Sequence, residues 1–293
     1  MNNLRLGEDM TKILSGKEVA EALDERSIKR VKELKAMGVN PTLAILRVSD
    51  RPDDISYEKS AAKRCEKIGV GIKNIRLATD VPENIFFKEL KKLNEDVDVH
   101  GILMFRPLPP HIDEERAMRI LAPEKDVDGA TDISLSGVFT NTSKGFAPCT
   151  PQAVMEIIDH YDIDVSGKKI CVLGRSLVVG RPLAMMLTYR DATVVICHTK
   201  TVEPQRISKQ ADIVICATGA IDSIGRDYLS AGQTVIDVGI GYSDRTKKLC
   251  GDLKADEAND IVSAMTPVPG GVGSVTTSVL VSHVIDAAER AFA

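Results

Sequence analysis

Residues 170–182 read I-C-V-L-G-R-S-L-V-V-G-R-P, and the fold follows from how this run is parsed. An apolar stretch, Ile170 to Leu173, meets Gly174, two polar residues, further apolar residues, Gly180 and a helix-compatible run. That order predicts strand, tight turn, helix. In a doubly wound α/β sheet such a turn presents the amides of a helix N-terminus to a phosphate. The glycines are spaced G-x-x-x-x-x-G rather than in the G-x-G-x-x-G fingerprint, so they do not make a nucleotide site by themselves. Neighbouring residues must carry that reading.

The pattern on either side alternates. Upstream, the apolar periodicity predicts a helix over 15–37, with Leu23, Ile28, Val31 and Leu34 on its buried stripe. A strand over 42–48, a helix over 56–68, a strand over 72–77 and a helix over 83–94 follow, then a strand over 99–105 and a helix over 114–121. Residues 123–151 break into Gly, Asp, Ser, Thr and Pro and predict a long irregular stretch. A second series comprises a helix over 150–160, a strand over 169–173, a helix from about Val179, and strands over 193–197, 213–217 and 234–238. A Pro/Gly-rich loop over 266–273 leads to a closing helix over 278–292.

Short apolar strands separated by helices imply an α/β fold. We expect two domains, each a mostly parallel sheet covered by helices, the C-terminal one Rossmann-like, with a ligand cleft between them. The first is expected over 1–147, completed by a C-terminal helix over 275–293, and the nucleotide-binding domain over 148–274.

At 293 residues the chain is long enough for two cores. Its 43% hydrophobic and 27% charged residues are ordinary for a globular protein, and a net charge of -4 argues against nucleic acid as a partner. The six cysteines (Cys65, Cys149, Cys171, Cys197, Cys216, Cys250) form no C-x-x-C pair and read as buried free thiols of a reducing compartment. No apolar run reaches membrane-spanning length, and the first residues include acidic ones where a leader needs an apolar stretch. A cytoplasmic protein with no membrane partner is expected.

Five places carry candidate chemistry. An NAD site places Asp or Glu at the end of the strand after the glycine turn. Here that strand ends Cys197-His198-Thr199-Lys200, so a 2′-phosphate meets no carboxylate, and the pattern favours NADP. Arg175 and Thr199 are placed to bind that phosphate; the alternative is that Arg175 and Lys200 are solvated surface charges. Tyr57 opens a helix on which a lysine four residues later would share its face, but that residue is Ala61. Lys59 and Lys63 point away, and Arg64, two turns on, does not deprotonate. Tyr57 also fits an ordinary half-buried position on an amphipathic helix. The strand in Gly101–His111 runs into three prolines, leaving an open, rigid end. In Lys125-Asp126-Val127-Asp128-Gly129 no further ligands follow at metal spacing. Asp126 reads as a turn former there, and Asp128 as an acceptor for a planar heterocycle. In Pro267–Gly273, P-V-P-G-G-V-G, glycines permit close backbone approach to a ligand while prolines stiffen the loop.

Together these motifs resemble the methylenetetrahydrofolate dehydrogenase/methenyltetrahydrofolate cyclohydrolase (FolD) family from Ser15-Gly16-Lys17 to the final helix. The resemblance rests on P-x-K-D-V-D-G at Pro123–Gly129, Pro148-Cys149-Thr150-Pro151, G-R-S-x-x-V-G at Gly174–Gly180, His198-Thr199-Lys200-Thr201, Asp237-Val238-Gly239-Ile240 and T-P-V-P-G-G-V-G at Thr266–Gly273. It implies hydride transfer from 5,10-methylenetetrahydrofolate to NADP, hydrolysis of the methenyl product, and a homodimer. By position it implies Gly174, Arg175, Ser176, Thr199 and Ile240 at the cofactor, Tyr57, Asp128, Pro269 and Gly270 at the folate, and Tyr57 and Asp128 as catalytic.

Two positions depart. The family's Tyr-x-x-x-Lys reads Tyr57-Glu58-Lys59-Ser60-Ala61, and its G-I-L-V-Q-L-P-L-P reads G-I-L-M-F-R-P-L-P, with Phe105 for Gln. In the family that lysine is the acid–base candidate for hydrolysis and the Gln helps set its ionisation. Weak or absent cyclohydrolase activity is therefore expected. A fully bifunctional enzyme and a non-catalytic folate/NADP-binding protein are the alternatives.

Overall fold

The computed structural model describes residues 11–292, so the acidic start of the chain, on which the leader expectation rests, lies outside the described residues. Strands are β1 (Lys12–Ile13), β2 (Thr42–Arg47), β3 (Gly71–Arg76), β4 (Gly101–Met104), β5 (Lys169–Leu173), β6 (Thr193–Cys197), β7 (Ile213–Cys216), β8 (Thr234–Asp237), β9 (Gly241–Tyr242), β10 (Leu249–Cys250) and β11 (Ala264–Met265). Helices are α1 (Gly16–Ala36), α2 (Pro52–Ile68), α3 (Glu83–Glu95), α4 (Glu114–Ile120), α5 (Asp132–Thr140), α6 (Cys149–His160), α7 (Gly180–Thr188), α8 (Pro204–Ser208), α9 (Ala255–Ala258) and α10 (Val272–Phe292). The chain divides into two compact units. One comprises Ala20–Gln152 and the segment from Thr276 onward; the other comprises Ala153–Val275 and the described residues before Ala20.

The first unit holds a parallel sheet in the order β3-β2-β4. Its central strand β2 is buried on both faces from Leu43 to Arg47, as a continuous apolar run dictates. Helix α3 turns Phe86, Leu90 and Leu93 into the same core as Ala44, Leu46 and Ile102. Its C-terminal carbonyls need donors, and the Lys125 ammonium supplies them, bonding the carbonyls of Leu93, Asn94 and Asp96 at 3.2, 2.7 and 2.7 Å.

Helix α2 starts at Pro52, four residues before its expected start, because proline suits a first turn and Asp53 and Asp54 favour that end of the helix dipole. It is pinned to the sheet by charge. The buried Glu58 carboxylate accepts from Arg47 Nε at 2.6 Å and from Arg76 Nε at 2.8 Å, which fixes the rotation of the helix carrying Tyr57.

The second unit holds a parallel sheet in the order β1-β11-β8-β7-β5-β6, with a separate β9-β10 hairpin. The chain goes from β5 out to β6, then returns to β7 on the other side of β5. That reversal is the topological switch point of a Rossmann-like sheet, and ligands bind beyond the carboxyl ends of strands there. β1 was expected with the first domain, yet it pairs in parallel with β11, Lys12 against Ala264.

Two further expectations give way. The irregular stretch holds α5, whose first amides are met by Thr131, the side chain accepting from Ser134 N. Its Ser-, Gly- and Thr-rich sequence carries little helix propensity, so capping outweighs it. The closing helix starts at Val272, six residues before its expected start, drawing the end of the glycine loop into its first turn.

Glu58→Ala leaves the buried Arg47 without its only buried carboxylate, keeping just the exposed Asp50 and the Ser49 carbonyl, and is expected to cost about 3 kcal/mol in urea unfolding, whereas replacing both Arg47 and Glu58 by leucine is expected to cost far less.

Candidate active site

Gly174 follows β5 with φ +139, and a Cβ there would lie 2.0 Å from the Ala217 carbonyl oxygen. A Cβ on Gly180 would lie 2.1 Å from the Gly174 carbonyl oxygen. Both glycines are thus required by backbone contact, and together they fold the turn onto the sheet. Ser176 completes it. Its Oγ accepts from Val179 N at 3.1 Å and its carbonyl from Arg181 N at 3.1 Å.

Beyond the turn is a pocket of about 460 Å³ lined by Gly174, Arg175, Ser176, His198 and Thr199, with Ala217, Thr218 and Tyr228 on the opposite wall. No carboxylate is among its lining residues. Arg175 and Thr199 are exposed at the rim, free to meet an anion. Thr199 is held in a turn in which His198 N donates to Thr201 Oγ1 at 2.9 Å and Thr201 N to His198 O at 2.8 Å. A second pocket of about 170 Å³ brings Ile240 together with Pro269 and Gly270, linking a position assigned to the cofactor with two assigned to the folate. Gly270 has φ +103, and its carbonyl accepts from Gly16 N at 2.8 Å, so the Ser15-Gly16-Lys17 motif braces the loop.

Tyr57 and Asp128 lie in the other unit. The Tyr57 ring meets Phe105 edge-on, centroids 5.9 Å apart at 78°. Its hydroxyl is hydrogen-bonded to Thr276, and burial, then the charges of Asp128 and Cys149, push its pKa well up. Asp128 is pushed up to about 6, first by burial and next by Asp126, with Arg106 opposing. Cys149 donates to the Val127 carbonyl at 3.3 Å, and burial beside Asp128 keeps it a thiol. Asp126 is the turn builder: it accepts from Ala130 N, Thr131 N and Ser134 Oγ at 3.0, 2.8 and 2.6 Å. One turn beyond Tyr57, Ala61 is fully buried. This cluster pairs a phenol with a carboxyl that titrates near neutrality, against an apolar wall.

Three participants escape sequence reasoning. Cys149 lies in the Pro148–Pro151 motif with no role read from it and Thr276 gives no local signal, since the fold alone brings them to Asp128 and Tyr57. Arg106 was legible: it stands where the family run has Leu, in the same stretch that shows Phe105.

Residues 14–128 match the family model for the tetrahydrofolate dehydrogenase/cyclohydrolase catalytic domain, and residues 148–292 match that for its NAD(P)-binding domain. The chain belongs to the tetrahydrofolate dehydrogenase/cyclohydrolase family. Among family relatives, the "Bifunctional protein FolD" of Clostridium botulinum (strain Langeland) is 46% identical over 281 residues, covering 96% of this chain and 99% of the relative. That of Clostridioides difficile (strain 630) is 46% identical over 275 residues, covering 94% and 96%. The crystal structure of the bifunctional FolD of Campylobacter jejuni superposes with a TM-score of 0.92 at 35% identity, covering 96% of this chain and 99% of that one. The Trypanosoma brucei FolD, complexed with NADP cofactor and inhibitor, gives 0.90 at 30% identity, covering 97% and 99%.

The raised Asp128 pKa has a definite sign. Its ionised form is the penalised one in the folded state, so the penalty is absent below the ordinary carboxylate range and complete once pH passes about 6. Asp128→Asn is therefore expected to gain on the order of 2 kcal/mol over the parent in urea unfolding at about pH 7.5. The gain is expected to shrink towards zero near pH 4.

Proposed function

We propose that this protein is an NADP-dependent 5,10-methylenetetrahydrofolate dehydrogenase of one-carbon metabolism, with weak or absent methenyltetrahydrofolate cyclohydrolase activity. The observation that carries the division is Ala61, a buried methyl group one turn from Tyr57 where the family has its lysine.

NADP supplies the hydride acceptor. Gly174, Arg175, Ser176, Thr199 and Ile240 hold it, with Arg175 and Thr199 at the 2′-phosphate; a carboxylate-free pocket supports the phosphorylated cofactor. Tyr57, Asp128, Pro269 and Gly270 hold the folate, Asp128 accepting hydrogen bonds from its planar ring. Hydride transfer asks the protein chiefly to align two rings, and this chain keeps the residues for that task. Hydrolysis asks for a proton carrier at water and at the leaving nitrogen, a task worth about 10²–10⁴-fold. A methyl group at 61 and a phenyl ring at 105 carry no proton. The family resemblance adds a homodimer to this reading. No helix among the described residues is long and apolar enough to cross a membrane.

Full bifunctionality is the second reading. It is favoured by the bifunctional relatives at 46% identity and by Asp128, whose carboxyl near pKa 6 is able to exchange a proton. Both half-reactions assayed on one preparation separate the two readings. We expect NADPH to form from methylenetetrahydrofolate while methenyl hydrolysis stays at least about tenfold slower, and the double variant Ala61→Lys, Phe105→Gln to raise hydrolysis by about tenfold or more. Comparable rates in the parent, unchanged in the double variant, mean full bifunctionality. No NADPH formation means a binding protein.

Arg175→Ala is expected to raise KM for NADP by about tenfold or more and leave that for NAD within about threefold, as steady-state kinetics with each cofactor will show.

A further inference from the structure

Asp252 follows β10 and is fully buried. Its Oδ2 accepts from Thr218 N at 2.6 Å and Gly219 N at 3.1 Å, in the loop after β7 that walls the larger pocket. Its main-chain carbonyl accepts from Ser223 N and Ile224 N, both at 2.9 Å, which line the same pocket. Its own amide donates to Asp237 Oδ1 at 3.1 Å. Asp237, at the end of β8, also accepts from Gly239 N at 3.0 Å and Leu253 N at 2.9 Å, and Gly239 and Ile240 line the smaller pocket.

Two buried carboxylates thus tie the wall of one pocket to the wall of the other, entirely through main-chain amides. The fit is tight. A Cβ on Gly239 would lie 2.3 Å from Asp252 Oδ1, and one on Gly251 would lie 2.0 Å from Asp237 Oδ2. Asp252 Oδ1 has no hydrogen-bond partner. A clasp with only a scaffolding task would be served by one acceptor oxygen, as on asparagine. A second, unpartnered oxygen beside another carboxylate is the kind of local cost that accompanies function.

We propose that Asp252 is a positioning residue for the cofactor, holding the Thr218–Gly219 loop directly and the Ile240 loop through Asp237. The proposal rests on the reading of the larger pocket as the NADP site. The groups acting on Asp237 are Asp252 after β10 and the main-chain amides of Leu253, Asp252 and Gly239, while its own charge is felt by the thiols of Cys216 on β7 and Cys250 on β10. Burial, and then the charge of Asp252 working against the Leu253 amide, push Asp237 up to about 6. As pH falls through that value Asp237 gains a proton and gives up acceptor capacity, so the grip on the Ile240 loop loosens.

Steady-state KM and kcat across pH, with NADPH binding followed by fluorescence titration, test this on the full chain. Asp252→Ala removes the oxygen held by two amides and is expected to raise KM for NADP by about tenfold at about pH 7.5, with kcat within about twofold. Asp252→Asn keeps that oxygen and removes the charge. It is expected to return KM to within about threefold of the parent and to move the acid rise in KM about one unit lower in pH. In Asp252→Asn, an acid rise in KM that stays where it is in the parent overturns the proposal, and that variant decides even where Asp252→Ala fails to fold. Failure of the parent to bind NADPH overturns both this proposal and the cofactor reading; binding by the parent with no change in either variant overturns this proposal alone.

Discussion

Two main chains meet at the end of β5 with no room for a side-chain carbon between them. The Ala217 carbonyl presses on Gly174 and the Gly174 carbonyl presses on Gly180, so strand, turn and helix close into one compact corner. This contact sits where the strand order reverses, and it leaves the mouth of the sheet open beside Arg175 and Ser176. Had either glycine carried a methyl group, the turn would lift away from β7 and the pocket would lose its floor. The nucleotide half of the molecule therefore depends on steric exclusion at two positions rather than on any strong attraction.

The Tyr57 side depends on the opposite kind of force. Glu58, buried between two arginines, fixes α2, and the residue just before it is the phenol that faces Phe105. Asp128 is held by a turn that its neighbour Asp126 builds, and the same short run ends α3 through Lys125. One segment of five residues thus terminates a helix, shapes a turn and presents a carboxyl. Its surroundings hold the carboxyl near neutrality because desolvation dominates, with Arg106 only partly restoring the charge.

Much of this was readable in the residues. The alternation of short apolar strands with helices gave the parallel sheets, since β4 and β7 and the central residues of β2 and β5 form continuous buried apolar runs, which a sheet covered on both faces accommodates. The missing carboxylate after Cys197 was visible as an absence and appears as a pocket without an acidic wall. Helix α5 was hidden because capping by Thr131, rather than composition, sustains it. The two-residue strands β1 and β11 were hidden because pairs so short have no periodicity to read. Cys149, Thr276 and the Asp237–Asp252 tie are matters of three-dimensional proximity, and only the Arg106 change lay in plain view unread.

The pairing of Lys12 with Ala264 has a consequence for how the molecule comes into being. One edge of the larger sheet is supplied by Lys12–Ile13, far upstream of the strand they pair with, while the first unit draws in the segment from Thr276 onward. Each unit is stitched from distant pieces, so during ribosomal synthesis the larger sheet waits for β11 and the first unit, though most of it is made first, waits for the segment from Thr276 onward. Severing the chain near residue 152 would yield two fragments that each lack part of their own architecture, and native structure would have to come from their reassembly.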